Sequence, residues 1–450
     1  MTGKEIIYKI LNHEEVPRPG WIPFAGVHAG KLKGYDATEV YTDADKLFDC
    51  LMEVNKVYSP DGQVLLFDLQ LEAEILGCQI EWSKNSPPCV MGGPLEDTDE
   101  IPTQSISKTD GRLPIVIDVT RSMKKAVGDK TALYGLFCGP FTLASHLRGT
   151  KLFKQLKKDP DYVHKILAYT TEISLQMCQL YLDEGVDVIV PVDPVVSQVS
   201  PGHFEKYLTA PYKKIFDFIR EKGALSSFFV CGNATHIIDL MCQTGPDSLS
   251  IDENVNMAEA KKITDQHNVV IGGNIPLTTI MLFGNQMDNM KATIDLIGSL
   301  GDCSKNVIIA PGCDMPFATP IENTIAVSHA VLETEKAREM VANYELSDIE
   351  VEVELPDYEH LEKPLVEAFL LDPTACAACT YMRAVAQDVK KHFGNKIDLM
   401  EYRYTNLEDI SRTKKMGVKQ LPSLYLNGQL KYSSIIPNLD EFIKEIEEVI

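Results

Sequence analysis

Over roughly its first 340 residues the chain alternates eight short β-branched apolar runs with longer amphipathic stretches, a pattern that restricts it to parallel α/β architecture. The runs fall at 21–24, 64–67, 133–138, 186–192, 225–230, 248–251, 269–271 and 307–310. Between them, stretches such as 160–184 and 200–222 repeat apolar residues at the 3.6-residue helical period. Eight strand–helix pairs predict a closed (β/α)8 barrel of TIM type, with its active site at the C-terminal strand ends. A doubly wound open sheet is the alternative that the same pattern allows.

The residues just past the strands support a working rim. Asp68, Gly139 with Pro140, Asp193, Cys231, Asp252, Asn274 and Cys313 stand at successive strand ends. Any one of them could be a turn former, but their recurrence points to function. Cys231 precedes Gly232 and Cys313 follows Gly312, which leaves backbone and sulfur open to a ligand. A free cysteine is commonly a buried small hydrophobe. In a closed barrel, however, these two would face one pocket. Two thiolates with one nitrogen or oxygen donor suit Zn2+, leaving a position for a substrate thiol or alkoxide. No tight Cys/His spacing adds to that signal.

The composition changes once. The stretch 345–362, ELSDIEVEVELPDYEHLE, holds eight acids and no Lys or Arg, and reads as a solvated linker, although IEVEVEL could alternate as an edge strand. It divides a barrel at 1–345 from a C-terminal part at 365–450, with the linker at 346–364. The latter runs strand, loop with Cys376 and Cys379, amphipathic helix, then strand, helix, two strands and helix. This order resembles thioredoxin, which implies a cis Leu421-Pro422 bond beside the dithiol. The helix N-terminus behind Cys376 would favour its thiolate and make it the attacking sulfur, with Cys379 as the resolving thiol. Metal binding by this C-x-x-C, or an inert docking module, are the competing readings.

A net charge of −22, from 43 basic and 65 acidic residues, argues against a nucleic-acid partner and against an anionic membrane surface. No apolar run approaches a spanning helix, and eleven thinly spread cysteines do not form a secreted disulfide framework. A cytoplasmic protein with mostly free thiols is expected.

FFVCGNATHIIDLM, LSIDENV, VVIGGNIP and IIAPGCDMPFATPIENTIA resemble the second half of the uroporphyrinogen decarboxylase superfamily. Upstream, FDLQLEAEILGCQIEW, GLFCGPFTLASHLRG and VPVDPVVSQVSPGHFEKYLTAPYKK are similar to it in order and spacing. The resemblance implies a (β/α)8 barrel. Decarboxylases carry an Arg-rich N-terminal segment, whereas WIPFAGVHAGKLKGY has no Arg. The corrinoid-linked methyltransferase branch is the better match. It implies methyl transfer between a small ether, amine or thiol and a corrinoid carried by a partner protein, at a zinc held partly by Cys313 and Cys231. That branch has His-x-Cys where this chain reads Phe229-Val230-Cys231. A third ligand would then come from His28, Glu72, Asp193, His203 or His236. Asp68, Glu72, Asp193, Asp252 and Asn274 are expected to serve the chemistry, and Gly139 and Asn233 to contact the cofactor. A decarboxylase, or a barrel that lost metal and activity together, are the other readings.

Overall fold

A computed structural model of the chain describes residues 1–371 and 376–450, with Ala377 described by its backbone alone. The first ten strands are β1 (Gly20–Trp21), β2 (Gly62–Val64), β3 (Gln79–Glu81), β4 (Cys89–Gly92), β5 (Ala132–Cys138), β6 (Val188–Val192), β7 (Leu225–Val230), β8 (Ser248–Ile251), β9 (Val270–Ile275) and β10 (Val307–Pro311). β3 and β4 form a separate antiparallel hairpin. The other eight pair in parallel in the order β1-β10-β9-β8-β7-β6-β5-β2. The remaining gap, between β1 and β2, is bridged at Asp61. Its N–H donates to Trp21 O at 3.0 Å and its carboxylate accepts the Trp21 N–H at 2.9 Å. Arg18 neutralises that carboxylate. The barrel expected from the strand count is therefore present and nearly closed.

Period-two alternation sorts each strand's side chains. On β7, Phe228 faces outward, its ring 4.1 Å from Tyr212 on the helix Thr209–Glu221. Phe229 faces inward onto Phe24 at 4.8 Å and Phe67 at 5.8 Å. Ser227, Phe229 and Cys231 thus share the inner face. Outside, the helix Pro160–Asp183 begins where Asp159 accepts the Tyr162 N–H and proline occupies the first turn. It buries Val163, Ile166, Leu167, Ile173 and Met177, each apolar side chain contributing roughly 1.5–3 kcal/mol.

The C-terminal unit has strands β11 (Leu365–Leu370), β12 (Asp398–Arg403), β13 (Ser423–Leu426) and β14 (Gln429–Ser433) in the order β12-β11-β13-β14. β11 and β12 are parallel, and the other pairs antiparallel. Helices Ala377–Phe393, Leu407–Lys415 and Leu439–Glu447 complete it, and the Leu421-Pro422 peptide is cis.

Over 345–362 no residue of the acidic stretch is buried and most are exposed. It forms no strand, and three contacts hold its first residues. Ser347 N–H donates to Asp288 of the barrel at 2.7 Å. Further on, Val351 N–H donates to Ser411 Oγ at 2.9 Å and Lys414 pairs with Glu350 at 3.0 Å. Lysines of the helix Leu407–Lys415 supply the countercharge that the stretch itself lacks.

The C-terminal unit sits on the barrel's C-terminal rim. Its helix Ala377–Phe393 packs on the turn Pro194–Gln198 that follows β6. Tyr381 presents its ring edge to Phe153 at 5.5 Å and its hydroxyl to His146 Nδ1 at 3.3 Å. Tyr404 lies near enough to Glu253, beyond β8, to feel its charge.

Candidate functional site

β7 and β10 each release the chain one or two residues before a cysteine, and the closed ring turns both sulfurs inward. Cys231 and Cys313 are half-buried and free, and their thiols face each other. The Cys231 thiol is pushed well up, first by its hydrogen bond to Cys313, then by burial, with the charges of Asp252 and Cys376 adding to this. Beneath them the inward rings of Phe24, Phe67 and Phe229 form an aromatic floor that excludes water.

One carboxyl, Asp252, acts on the Cys231 thiol, and other buried carboxyls stand at neighbouring strand ends. Asp252 accepts the Gly232 N–H at 2.8 Å and the Asn254 N–H at 2.8 Å, and burial raises it. Glu253 beside it is pushed up to about 8 by burial and by Asp252. Asp314, next to Cys313, accepts the Gly26 N–H at 2.7 Å and is raised by burial to about 8. Glu253 and Asp314 were not singled out from the sequence. Their one signal was adjacency to Asp252 and Cys313. Across the mouth, Glu72 accepts the Cys138 N–H at 3.1 Å, leaves Oε2 without a partner, and is raised by burial to about 8. Asp68 is paired with Arg112 at 2.6 Å.

Several expected site residues make contacts that hold the barrel together. Asp193 accepts the N–H groups of Phe141 and Thr142, both at 2.8 Å, with the hydroxyls of Thr142 and Tyr212. It thereby anchors the start of the helix Pro140–Arg148. Gly139 permits that approach, since a Cβ there would lie 2.5 Å from Asp193. Asn274 donates to Asp252 O at 2.9 Å and Val255 O at 2.7 Å, clamping the loop after β8. Asn233 closes a local turn on the Thr235 N–H at 3.1 Å.

The histidines do not reach the thiols. His28 is fully buried with Nε2 2.7 Å from the Tyr58 hydroxyl, and burial, then Lys31, lowers it to about 4. His236 is exposed and donates Nε2–H to Val199 O at 2.8 Å. His203 sits beside Tyr207, ring centroids 5.9 Å apart. Among the described residues no group of three His, Cys, Asp or Glu gathers closely enough to hold a metal ion. The thiol pair is half of a tetrahedral zinc site, and Phe229 fills the direction where a third ligand would stand. This donor set does not fit the zinc expected from the sequence.

In the C-terminal unit, Cys376 caps the helix Ala377–Phe393 and its sulfur accepts the Cys379 N–H at 3.2 Å. Cys379 is buried and accepts the Leu371 N–H at 3.3 Å. Because Ser423 pairs with Phe369, Pro422 stands beside the end of β11 from which the cysteine loop departs.

A (β/α)8 barrel with a dithiol and a carboxyl-lined mouth at its C-terminal strand ends defines a barrel of the enzyme class. The uroporphyrinogen decarboxylase (URO-D) family model matches residues 2–334, and the chain belongs to that family. The match leaves the C-terminal unit outside it. The chain is 26% identical over 333 residues to the methylcobamide:CoM methyltransferase MtbA of Methanosarcina acetivorans, covering 72% of this chain and 95% of that protein. It is 25% identical over 297 residues to a uroporphyrinogen decarboxylase of Parasynechococcus marenigrum, covering 63% and 81% respectively. The solved structure of a methyltransferase from Methanosarcina mazei superposes with a TM-score of 0.67 at 25% identity, over 74% of this chain and 99% of that one. No helix among the described residues is long and apolar enough to cross a membrane.

Proposed function

We propose that the barrel transfers a methyl group between a small substrate (an ether, amine or thiol) and a cobamide carried by a partner protein. The observation that supports this most is the facing pair Cys231 and Cys313 in a chain so similar to a methylcobamide:CoM methyltransferase. In the thiol direction, the substrate sulfur attacks the methyl carbon as a thiolate. A bound cobamide would supply the methyl group, and the thiol proton must leave. Glu253 suits that exchange, because burial and then the charge of the adjacent Asp252 raise it to about 8. The aromatic floor keeps water from competing for the methyl group. No step is routed through a metal.

The decarboxylase reading is less well supported. A porphyrin with acetate and propionate arms would meet a mouth rich in carboxyls, and Arg112 there is already paired with Asp68 and Glu74. The C-terminal unit reads as a thioredoxin-like module whose dithiol is redox-competent.

The test mixes reduced protein anaerobically with methylcobalamin and a panel of thiols that includes coenzyme M. The change from methylcobalamin to cob(I)alamin is followed by its visible spectrum. Transfer to a thiol that falls at least tenfold in Glu253→Gln supports the reading. Absence of any cobalamin change, together with CO2 release from a porphyrinogen, would replace it with the decarboxylase.

A further inference from the structure

The fold brings a second pair of sulfurs to the first. Gly232, directly after Cys231, lies against Ser197, where a Cβ would come within 2.7 Å of the hydroxyl. Ser197 belongs to the turn Pro194–Gln198 on which the helix Ala377–Phe393 packs, and Cys376 caps that helix. Cys231, Cys313 and Cys376 accordingly border one continuous apolar core that spans both units. Cys376 is near enough for its charge to act on Cys231. It is half-buried and caps the N-terminus of the 17-residue helix Ala377–Phe393, with its sulfur turned to the first-turn N–H of Cys379. Cys379, three residues on and one helical turn away, is placed to resolve a bond made by Cys376.

We propose that the chain carries an internal thiol–disulfide exchange activity, in which the dithiol of Cys376 and Cys379 reduces a disulfide formed between Cys231 and Cys313. A hydroperoxide forms that disulfide: the two barrel thiols lose two electrons and two protons, and the peroxide leaves as water and an alcohol, or as two waters if it is hydrogen peroxide. The Cys376 thiolate then attacks the Cys231 sulfur, and the sulfur–sulfur electron pair departs on Cys313, which takes up a proton. Cys379 gives up its proton and attacks the Cys376 sulfur, releasing Cys231 as the second barrel thiol. One disulfide enters and one leaves, so two electrons have moved from the C-terminal pair to the barrel pair. A small external dithiol resets Cys376 and Cys379. Tethering keeps the reductant at high effective concentration over the mouth. A barrel dithiol without a third ligand to hold a metal is the substrate such a reductant suits. The exchange concerns sulfur alone and stands whether or not the barrel transfers methyl groups.

The experiment uses the full chain and one equivalent of hydrogen peroxide, followed by rapid alkylation and peptide mapping without reduction. In Cys379→Ser the expected product is a mixed disulfide between Cys376 and Cys231, absent when Cys231→Ser is added. Because Cys379 is buried, Cys376→Ser gives an independent readout: the disulfide between Cys231 and Cys313 forms, and added dithiothreitol reduces it at least tenfold more slowly than in the unaltered protein. The proposal is overturned if peroxide forms no barrel disulfide. It is equally overturned if Cys376 links to neither barrel cysteine in Cys379→Ser, or if reduction in Cys376→Ser is as fast as in the parent chain.

Discussion

The ring of Phe229 lies 4.8 Å from the ring of Phe24, on the inward face of its strand and one alternation below Cys231. Phe229 therefore both wedges the barrel floor and blocks the one direction from which a strand-borne ligand could join the two thiols. Phe229→His is expected to replace that block with a ligand. Zinc affinity, measured by competition with a chromogenic chelator, should tighten at least a hundredfold and be lost again when Cys231→Ser is added. The same substitution should cost about 2–4 kcal/mol of stability, for a core ring removed without full collapse. Unchanged zinc affinity in a folded Phe229→His protein would refute this account of the site.

Burial at the mouth gives stability a pH dependence with a definite sign. Glu72, Glu253 and Asp314 hold their protons in the folded protein to about pH 8, but ionise near their ordinary range when unfolded. Through that window the folded form binds more protons, so stability falls as pH rises. His28 and His146, both lowered to about 4, act in the opposite sense between there and about 6.5. Above 6.5 the acids act without that opposition. The urea midpoint should therefore drop from pH 6.5 to 8, each acid contributing up to about 1.4 kcal/mol per pH unit. Glu72→Gln should remove one acid's share of that slope, and a midpoint flat across the window would contradict the assignment.

Asp193 is expected to behave as an anchor. Asp193→Asn turns an amide NH2 toward donors that now meet no acceptor, and should destabilise the barrel by about 3–5 kcal/mol. Gly139→Ala, forced against the same carboxylate, should act in the same direction. Both variants, studied below their melting temperatures, should retain the pH profile of the parent. A displaced pH optimum in either would return Asp193 to the chemistry.

Tyr381→Ala removes the ring edge on Phe153 and the hydroxyl beside His146. The C-terminal unit should then loosen from the rim. Iodoacetamide should alkylate Cys231 and Cys313 several-fold faster, while each unit keeps its own circular dichroism signature. Unchanged alkylation rates would show that Tyr381 does not seat the unit.

The barrel was legible because each parallel strand, covered on both faces, must be a short apolar run, and eight such runs stand between helical patterns. The thiol pair was legible because strand ends in that fold converge. Sequence could not show that His28 is claimed by Tyr58, thirty residues later in the chain. Nor could the alternation rule find Glu253 or Asp314. β8 ends at Ile251 and β10 at Pro311, so the chain has left the pleat before either residue and neighbours no longer face opposite ways. What the acidic stretch meets could not be read either: Lys414, which pairs with Glu350, and Ser411, whose Oγ accepts the Val351 N–H, lie some sixty residues downstream.

Seating the C-terminal unit on the rim beyond β5, β6, β7 and β8 makes it a resident tenant of the face that a cobamide-bearing protein needs under the proposed function. Two tenants cannot hold one face together, so the visitor's apparent affinity is its intrinsic affinity scaled by the fraction of chains standing open. If 99 chains in a hundred are seated, the visitor binds about a hundredfold more weakly than the bare barrel would allow. Changes along the seam, far from any sulfur, would then retune traffic at the mouth without altering the chemistry inside it.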